Sequence, residues 1–375
     1  MLSQAQFIVG GARHLAMLPP GPAERLAWPS PFERGIENIL ARRGDPVCVL
    51  ASGDPFLYGV GATLTAAIPA EEMICLPAPS SLSLAAARLG WALQECEIVS
   101  LHGRPFERII PHLRPGARLL ILSWDGDTPQ ALARLLTARG LGGSRFVVLE
   151  ALGGPREAVT ESVADQFERH DIAALNVVAV EIDAHAAAPF IPLTPGLPDE
   201  WFESNGQITK REIRAVTLSA LAPWPGAVLW DVGAGSGSIS IEWMLAHPRN
   251  RAFAIEANPD QADRIARNAA ALGVPDLTVL RGRAPAALEG LPPPDAIFVG
   301  GGGAEAIDAA WDYLPRGRRL VVNAVTIETQ NAVTERQARL GGSLTLIAVS
   351  RAEPIGTYRG WKPARPVVQW QAVKP

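Results

Sequence analysis

Short apolar runs recur along the chain, and many are separated by stretches with helical spacing. In the first half, residues 6–10, 47–51, 73–76, 97–101, 118–123, 146–150 and 177–182 read as strands, and 59–67, 82–89 and 128–139 as helices. Ser80 or Ser81 can cap the helix at 82–89. In the second half, strands are predicted at 227–230, 252–255, 277–280, 295–299 and 318–324, with closing strands at 343–350 and 366–370. Helices are predicted at 210–222, 239–246, 260–272 and 326–340, the one at 239–246 as an amphipathic segment. This alternation makes the chain α/β throughout. Between the halves, Pro189, Pro192, Pro195 and Pro198 bar both helix and central strand. That stretch reads as a stiff linker, dividing the chain into domains of residues 1–190 and 191–375.

The most informative stretch runs from 227 to 258. An apolar strand ends at Asp231, and Gly233, Ala234, Gly235, Ser236 and Gly237 form a turn with glycine at alternate positions. A helix follows, then a second strand ending on Glu256. Glycine permits positive φ and close approach of backbone to a ligand. The free N–H groups at the start of a helix attract an anionic group. An acid about 20 residues beyond the first glycine is placed to bind ribose hydroxyls. The third glycine comes one place too early for GxGxxG, so a pyrophosphate is not the best fit. A glycine-rich αβ turn without a ligand is the plainer alternative.

D-x-G-x-G-x-G with a downstream acid resembles the class I S-adenosylmethionine-dependent methyltransferases. The resemblance implies a cofactor whose methionyl end lies on the turn and whose sugar lies on Glu256. It also implies a Rossmann-like, seven-stranded, mostly parallel sheet of order 3-2-1-4-5-7-6. Upstream, Ile208-Thr209-Lys210-Arg211-Glu212-Ile213-Arg214-Ala215 carries a Thr209–Glu212 capping box. The same segment resembles the decarboxylating cobalt-precorrin methyltransferases, which implies that Thr209 lies at the cofactor site. Relatives often have Gly-Asp-Ala-Pro where this chain has Gly282-Arg283-Ala284-Pro285. The resemblance sets Ala284 against the adenine and leaves Arg283 in the acid's place. Gly300 opens a run of glycines at the end of the fourth strand, where backbone can pass close to a ligand.

Ser52-Gly53-Asp54-Pro55-Phe56-Leu57-Tyr58-Gly59, a strand end at Pro77-Ala78-Pro79-Ser80-Ser81, the segment Gly10-Gly11-Ala12-Arg13-His14-Leu15 and Ser100-Leu101-His102-Gly103-Arg104 resemble the tetrapyrrole methylase family. This implies a second S-adenosylmethionine site that uses Gly53, Asp54, Pro55, Ser80 and Ser81. Asp54 reads equally well as a turn-former. His102 and Arg104 follow a strand, where ligands of α/β folds gather. Family members carry a strand and a glycine-rich loop ahead of the segment at Gly10. Here Met1 stands just before it, so either the start codon is placed late or the domain lacks that first strand and a wall of its cofactor site, which would expose a sheet edge.

The 375 residues are 48% hydrophobic and 19% charged, too apolar for a disordered chain. A net charge of −4 argues against nucleic acid as a partner. Cys48, Cys75 and Cys96 form no metal-ligand pattern and read as buried thiols. No signal peptide is visible and no apolar run reaches the ~18 residues a membrane span needs, so a cytoplasmic protein off the membrane is expected. The segment 355–362 is glycine-rich, basic and aromatic: either a hairpin with solvated charge or a lip over a flat, carboxylate-rich ligand. Arg214, Arg283, Arg359, Lys362, His102 and Arg104 are the candidate anchors for such a ligand. The resemblance implies the reaction: methylation of precorrin-6B at C5 and C15 with loss of CO₂ from the ring C acetate, giving precorrin-8X on the way to cobalamin. The partner is then a small corrin precursor with several carboxylates, handled by a homo-oligomer without a metal. The rivals are a methyltransferase for nucleic acid or protein and a non-catalytic tetrapyrrole-binding protein.

Overall fold

A computed structural model describes residues 2–375. The chain forms two compact units. The first runs to Gly103 and resumes over Gly116–Ala186; the second comprises Arg104–Pro115 and Ala187–Pro375. The excursion Arg104–Pro115 therefore groups with the second unit, where Arg108 pairs with Asp276 and Ile109 and Ile110 are buried.

The first unit begins with β1 (Phe7–Gly10), α1 (Ala12–Ala16), β2 (Glu24–Ala27), α2 (Glu33–Leu40), β3 (Val47–Val49) and α3 (Val60–Leu64). Its first sheet is parallel, in the order β2-β1-β3, around a core of Phe7, Val9, Ile39 and Leu64. Next come α4 (Ser81–Leu89), β4 (Cys96–Ser100), β5 (Arg118–Leu122), α5 (Thr128–Ala138), β6 (Arg145–Glu150), β7 (Ala158–Val163) and β8 (Asn176–Glu181). They build a mixed five-stranded sheet, β4-β5-β8-β6-β7. Helices α1 and α2 and strands β2 and β7 are not among the predicted elements, and other details also differ from expectation. Residues 73–76 join no sheet and leave Ile74 and Leu76 77% and 66% exposed. Strand β7 lacks an apolar run because it is an edge strand, exposed along much of its length, with Glu161 paired to Arg145 of β6. Cys75 is exposed rather than buried.

The second unit continues with α6 (Arg211–Leu221), β9 (Val228–Val232), α7 (Ser238–Leu245), β10 (Arg251–Glu256), α8 (Pro259–Ala271), β11 (Thr278–Arg281), β12 (Ala296–Val299), α9 (Gly303–Tyr313), β13 (Arg319–Ala324) and α10 (Ile327–Leu340). It closes with β14 (Ser343–Ile347), the hairpin β15 (Ser350–Ile355) and β16 (Tyr358–Pro363), and β17 (Val367–Val373). The main sheet runs β11-β10-β9-β12-β13-β17-β14. Counted along the chain without the hairpin, that is the order 3-2-1-4-5-7-6. β17 alone is antiparallel to both its neighbours. The central strands are apolar on both faces because helices cover both; Trp230, Ile297, Val299, Leu320 and Val322 are buried. Each such side chain contributes roughly 1.5–3 kcal/mol on burial. Helix α7 is buried nearly all round from Ser238 to Met244, so it has no polar face. Among the described residues, no helix is long and apolar enough to cross a membrane.

Candidate cofactor and substrate sites

Strand β9 delivers the chain to the glycine turn. Gly233 and Gly235 take φ of +73° and +60°. A Cβ on Gly233 would stand 2.8 Å from the backbone of Gly301, so the two glycine segments pack main chain against main chain. At the end of β10, Glu256 is 9% exposed. One carboxylate oxygen accepts the Gly235 N–H and the other the Asn258 N–H, both at 2.9 Å. Each oxygen retains a lone pair.

Above these strand ends lies a cavity of about 840 Å³. Gly233, Ala234, Gly235 and Ser236 line it, with Glu256, Thr209, Ala284 and Gly300. The Ser236 hydroxyl is buried without a hydrogen-bond partner. The donor set suits S-adenosylmethionine: two carboxylate lone pairs for a pair of ribose hydroxyls, open backbone at Gly235, and an unsatisfied hydroxyl for the polar methionyl end. Lys210, Arg283, Arg351 and Arg365 also line the cavity, and all four are exposed.

Several residues singled out from the sequence lie elsewhere. Arg214 is fully buried: it donates to Glu242 and Asp199 and to the carbonyls of Leu197 and Thr209. It is an internal clamp, not a substrate anchor. Arg359 and Lys362 sit on the exposed hairpin away from the cavity lining, and Lys362 pairs with Glu353 at 2.9 Å. Of the predicted anchors Arg283 does line the cavity, and from this part of the chain it is Arg351, near the start of β15, and Arg365, just after β16, that reach it. The Thr209–Glu212 capping box does not form: Lys210 is the N-cap residue of α6, without a side-chain cap, and Glu212 pairs with Arg351. Gly237 packs against α8, where a Cβ would stand 2.7 Å from the Ile265 side chain.

Asp231 lies beneath the turn, fully buried and off the cavity lining. One oxygen accepts from Ser240 N–H at 3.1 Å and Ser240 O–H at 2.7 Å, and the other has no partner. Burial pushes its pKa up from 3.8 to about 6, against the opposing pull of the Ser240 bonds. A raised acid pKa means that the folded chain keeps a proton the unfolded chain has released. Stability from this group is therefore complete below pH 3.8 and lost as pH rises through about 6. Asp231→Asn should gain on the natural chain by up to about 3 kcal/mol between pH 4 and 7. Melting temperatures of the two proteins across that range test this; parallel curves would refute it.

In the first unit, Gly53 has φ +56°, and a Cβ there would stand 2.9 Å from Ser80 Cα. The Gly53-Asp54-Pro55 turn thus meets the segment that leads into α4. Asp54 accepts the Phe56 N–H at 2.8 Å, the bond of a turn-former. Ser80 caps α4 by accepting the Ser83 N–H at 3.1 Å, and Ser81 is the first helical residue. The hydroxyl of Ser52 bonds His14 Nε2 at 2.8 Å and Arg13 Nη2 at 2.9 Å, joining the ends of β1 and β3. Burial, then the Arg13 charge, lowers the His14 pKa. His102 is exposed beyond β4, and Arg104, also exposed, falls in the other unit. Among the described residues, no cluster of acidic, histidine and cysteine side chains could hold a metal.

Comparison with known proteins sharpens this picture. Residues 2–168 match the family described as Tetrapyrrole (Corrin/Porphyrin) Methylases, and residues 200–374 match the one described as Precorrin methyltransferase domain. The chain is 55% identical over 379 residues to the Precorrin-6Y C(5,15)-methyltransferase [decarboxylating] of Sinorhizobium sp., covering 100% of this chain and 91% of that protein. It is 40% identical over 183 residues to a Probable cobalt-precorrin-6B C(15)-methyltransferase (decarboxylating) of Pyrobaculum calidifontis, spanning 46% of this chain and 93% of that one. The crystallised C-terminal domain of precorrin-6Y C5,15-methyltransferase from Rhodobacter capsulatus is 45% identical, with a TM-score of 0.47, over 49% of this chain and 100% of that domain. Fold and site together define a two-domain methyltransferase of the tetrapyrrole class. The chain belongs to the precorrin-6Y C(5,15)-methyltransferase (decarboxylating) family.

Proposed function

We propose that the chain methylates precorrin-6B at C5 and C15 and removes CO₂ from its ring C acetate, yielding precorrin-8X for cobalamin biosynthesis. The observation that carries this reading is the Glu256 carboxylate bonded to the Gly235 N–H at the wall of a cavity with four cationic side chains. S-adenosylmethionine supplies an electrophilic methyl group when bound. In the second domain, Glu256 holds two ribose hydroxyls, the backbone of Gly233 and Gly235 and the Ser236 hydroxyl hold the polar end, and Thr209, Ala284 and Gly300 complete the walls. Gly53, Asp54, Pro55, Ser80 and Ser81 serve a second cofactor in the first domain. Arg283, Arg351, Arg365 and Lys210 pair with peripheral carboxylates of the macrocycle. Orientation is most of the task in such transfers, up to about 7–11 kcal/mol in the best cases. The second domain carries C15 methylation and decarboxylation, in keeping with the relative named for those two steps alone; the first carries C5.

Mass spectrometry of a reaction with precorrin-6B tests this. The expected product has gained two methyl groups and lost one CO₂. A parallel titration should find two S-adenosylmethionines bound per chain. No cofactor uptake would favour a tetrapyrrole carrier, and methylation of nucleic acid or protein alone would favour another substrate class.

A further inference from the structure

The cationic groups of the second-domain cavity are exposed and lie on loops or the hairpin, but besides Glu256 a second polar side chain on its wall belongs to the main sheet. Asn323, near the carboxyl end of β13, is 9% exposed and lines the cavity. Ligands of α/β sheets collect at such strand ends. Its amide is held by a buried network. Nδ2 donates to Thr217 Oγ1 at 2.8 Å, and Oδ1 accepts from Gln369 Nε2 at 3.0 Å. Gln369 Nε2 also donates to Thr217 Oγ1 at 3.2 Å, while the Thr217 hydroxyl donates to the Ile213 carbonyl at 2.7 Å. The hydroxyl's one proton is thereby committed, so Thr217 can only accept from its neighbours. That fixes which end of Asn323 is nitrogen. One N–H and one carbonyl lone pair of Asn323 remain uncommitted. Ile213, Val325 and Val367 also line the cavity, and they are apolar.

We infer that Asn323 is a catalytic residue of the decarboxylation: its free N–H receives the acetate carboxylate that is lost. This rests on the function proposed above. In the step, the C–C bond to the carboxylate breaks and its electron pair passes into the conjugated macrocycle. CO₂ departs, and a proton from water then completes the methyl group. Negative charge leaves the carboxylate in the transition state, so a cation beside it would stabilise the reactant more than the transition state. A single neutral N–H on a rigid amide orients the group, keeps it from bulk water and does not hold its charge in place. The exposed cations are left for the carboxylates that stay. The arrangement sorts the acid groups of one substrate by the charge of the wall each one meets.

The test uses the full-length protein with Asn323→Ala and the isosteric Asn323→Asp, measuring CO₂ released and methyl groups transferred from the same reactions. Both variants should release roughly tenfold less CO₂ per methyl group than the natural protein, the order expected when a reacting group is no longer held in its productive orientation. Affinity for S-adenosylmethionine should stay within about twofold, since no cofactor contact is removed. Arg365→Ala should raise KM for the corrin precursor without lowering the CO₂-to-methyl ratio, a split that a merely structural role for Asn323 would not produce. If Asn323→Ala proves unfolded by circular dichroism, Asn323→Asp decides alone. An unchanged ratio in the folded variants overturns the inference while leaving the proposed function standing. A natural protein that transfers no methyl at all overturns the function itself.

Discussion

Alanine in place of Glu256 is expected to weaken S-adenosylmethionine binding in the second domain by about a hundredfold or more. Two hydroxyl-to-carboxylate bonds are lost, each contributing roughly 1.5–3 kcal/mol because the acceptor is charged. The turn loosens as well, since the Gly235 and Asn258 N–H groups both end on this carboxylate. Calorimetric titration should show one of the two binding events disappearing while the other, in the first domain, is unchanged. Glu256→Gln should fall between, because an amide keeps one acceptor but neither the charge nor the second. A natural affinity in a folded Glu256→Ala chain would place the sugar somewhere else.

The second large effect lies away from any ligand. Arg214→Ala should destabilise the second unit by about 3–5 kcal/mol, the usual cost of stranding one partner of a buried ion pair. Glu242 is buried and accepts from Arg214 and from the Gly196 and Leu197 N–H groups, so it would be left with two neutral donors and no cation. Lysine is a poor substitute, because one ammonium cannot span two carboxylates and two carbonyls set around a planar fork. The double variant Arg214→Met with Glu242→Gln should recover part of the loss, since a neutral amide leaves no buried charge uncompensated and can still accept from the Gly196 and Leu197 N–H groups. Urea unfolding of the natural, single and double variants measures each step. A single variant as stable as the natural chain would show that the clamp contributes little. Because Arg214 also holds the Thr209 carbonyl, the single variant should bind cofactor more weakly as well.

The strands were legible wherever an apolar run feeds a buried strand, as at β9, β10, β12 and β13. The turn between β9 and α7 was legible because its chemistry is local: positive φ at alternate positions calls for glycine in the sequence. The acid at the end of β10 follows from strand length and parallel pairing. Failures came where a neighbouring strand, rather than the segment's own pattern, decides the structure. β2 and β7 carry no apolar run, as an exposed edge strand need not, and only their neighbours make them strands. Residues 73–76 have the composition of a strand and no partner to pair with.

The same division runs through the chemistry. Residue order alone places Glu256 and the glycines together, since one strand–turn–helix–strand unit carries them all. Charge by contrast carries no address. Arg214 looked like any basic residue near a strand end until folding brought Glu242 against it, 28 positions along the chain. Arg351 and Arg365 reach the cavity because the closing strands bracket a hairpin, while Arg359 and Lys362, more conspicuous in sequence, are carried away from it. Asn323 had no local signature: its partners stand 106 and 46 positions away in sequence. Backbone conformation is set by near neighbours and can be read along the chain. The environment of a polar side chain, and so its role, is set by groups that meet only when the sheet closes.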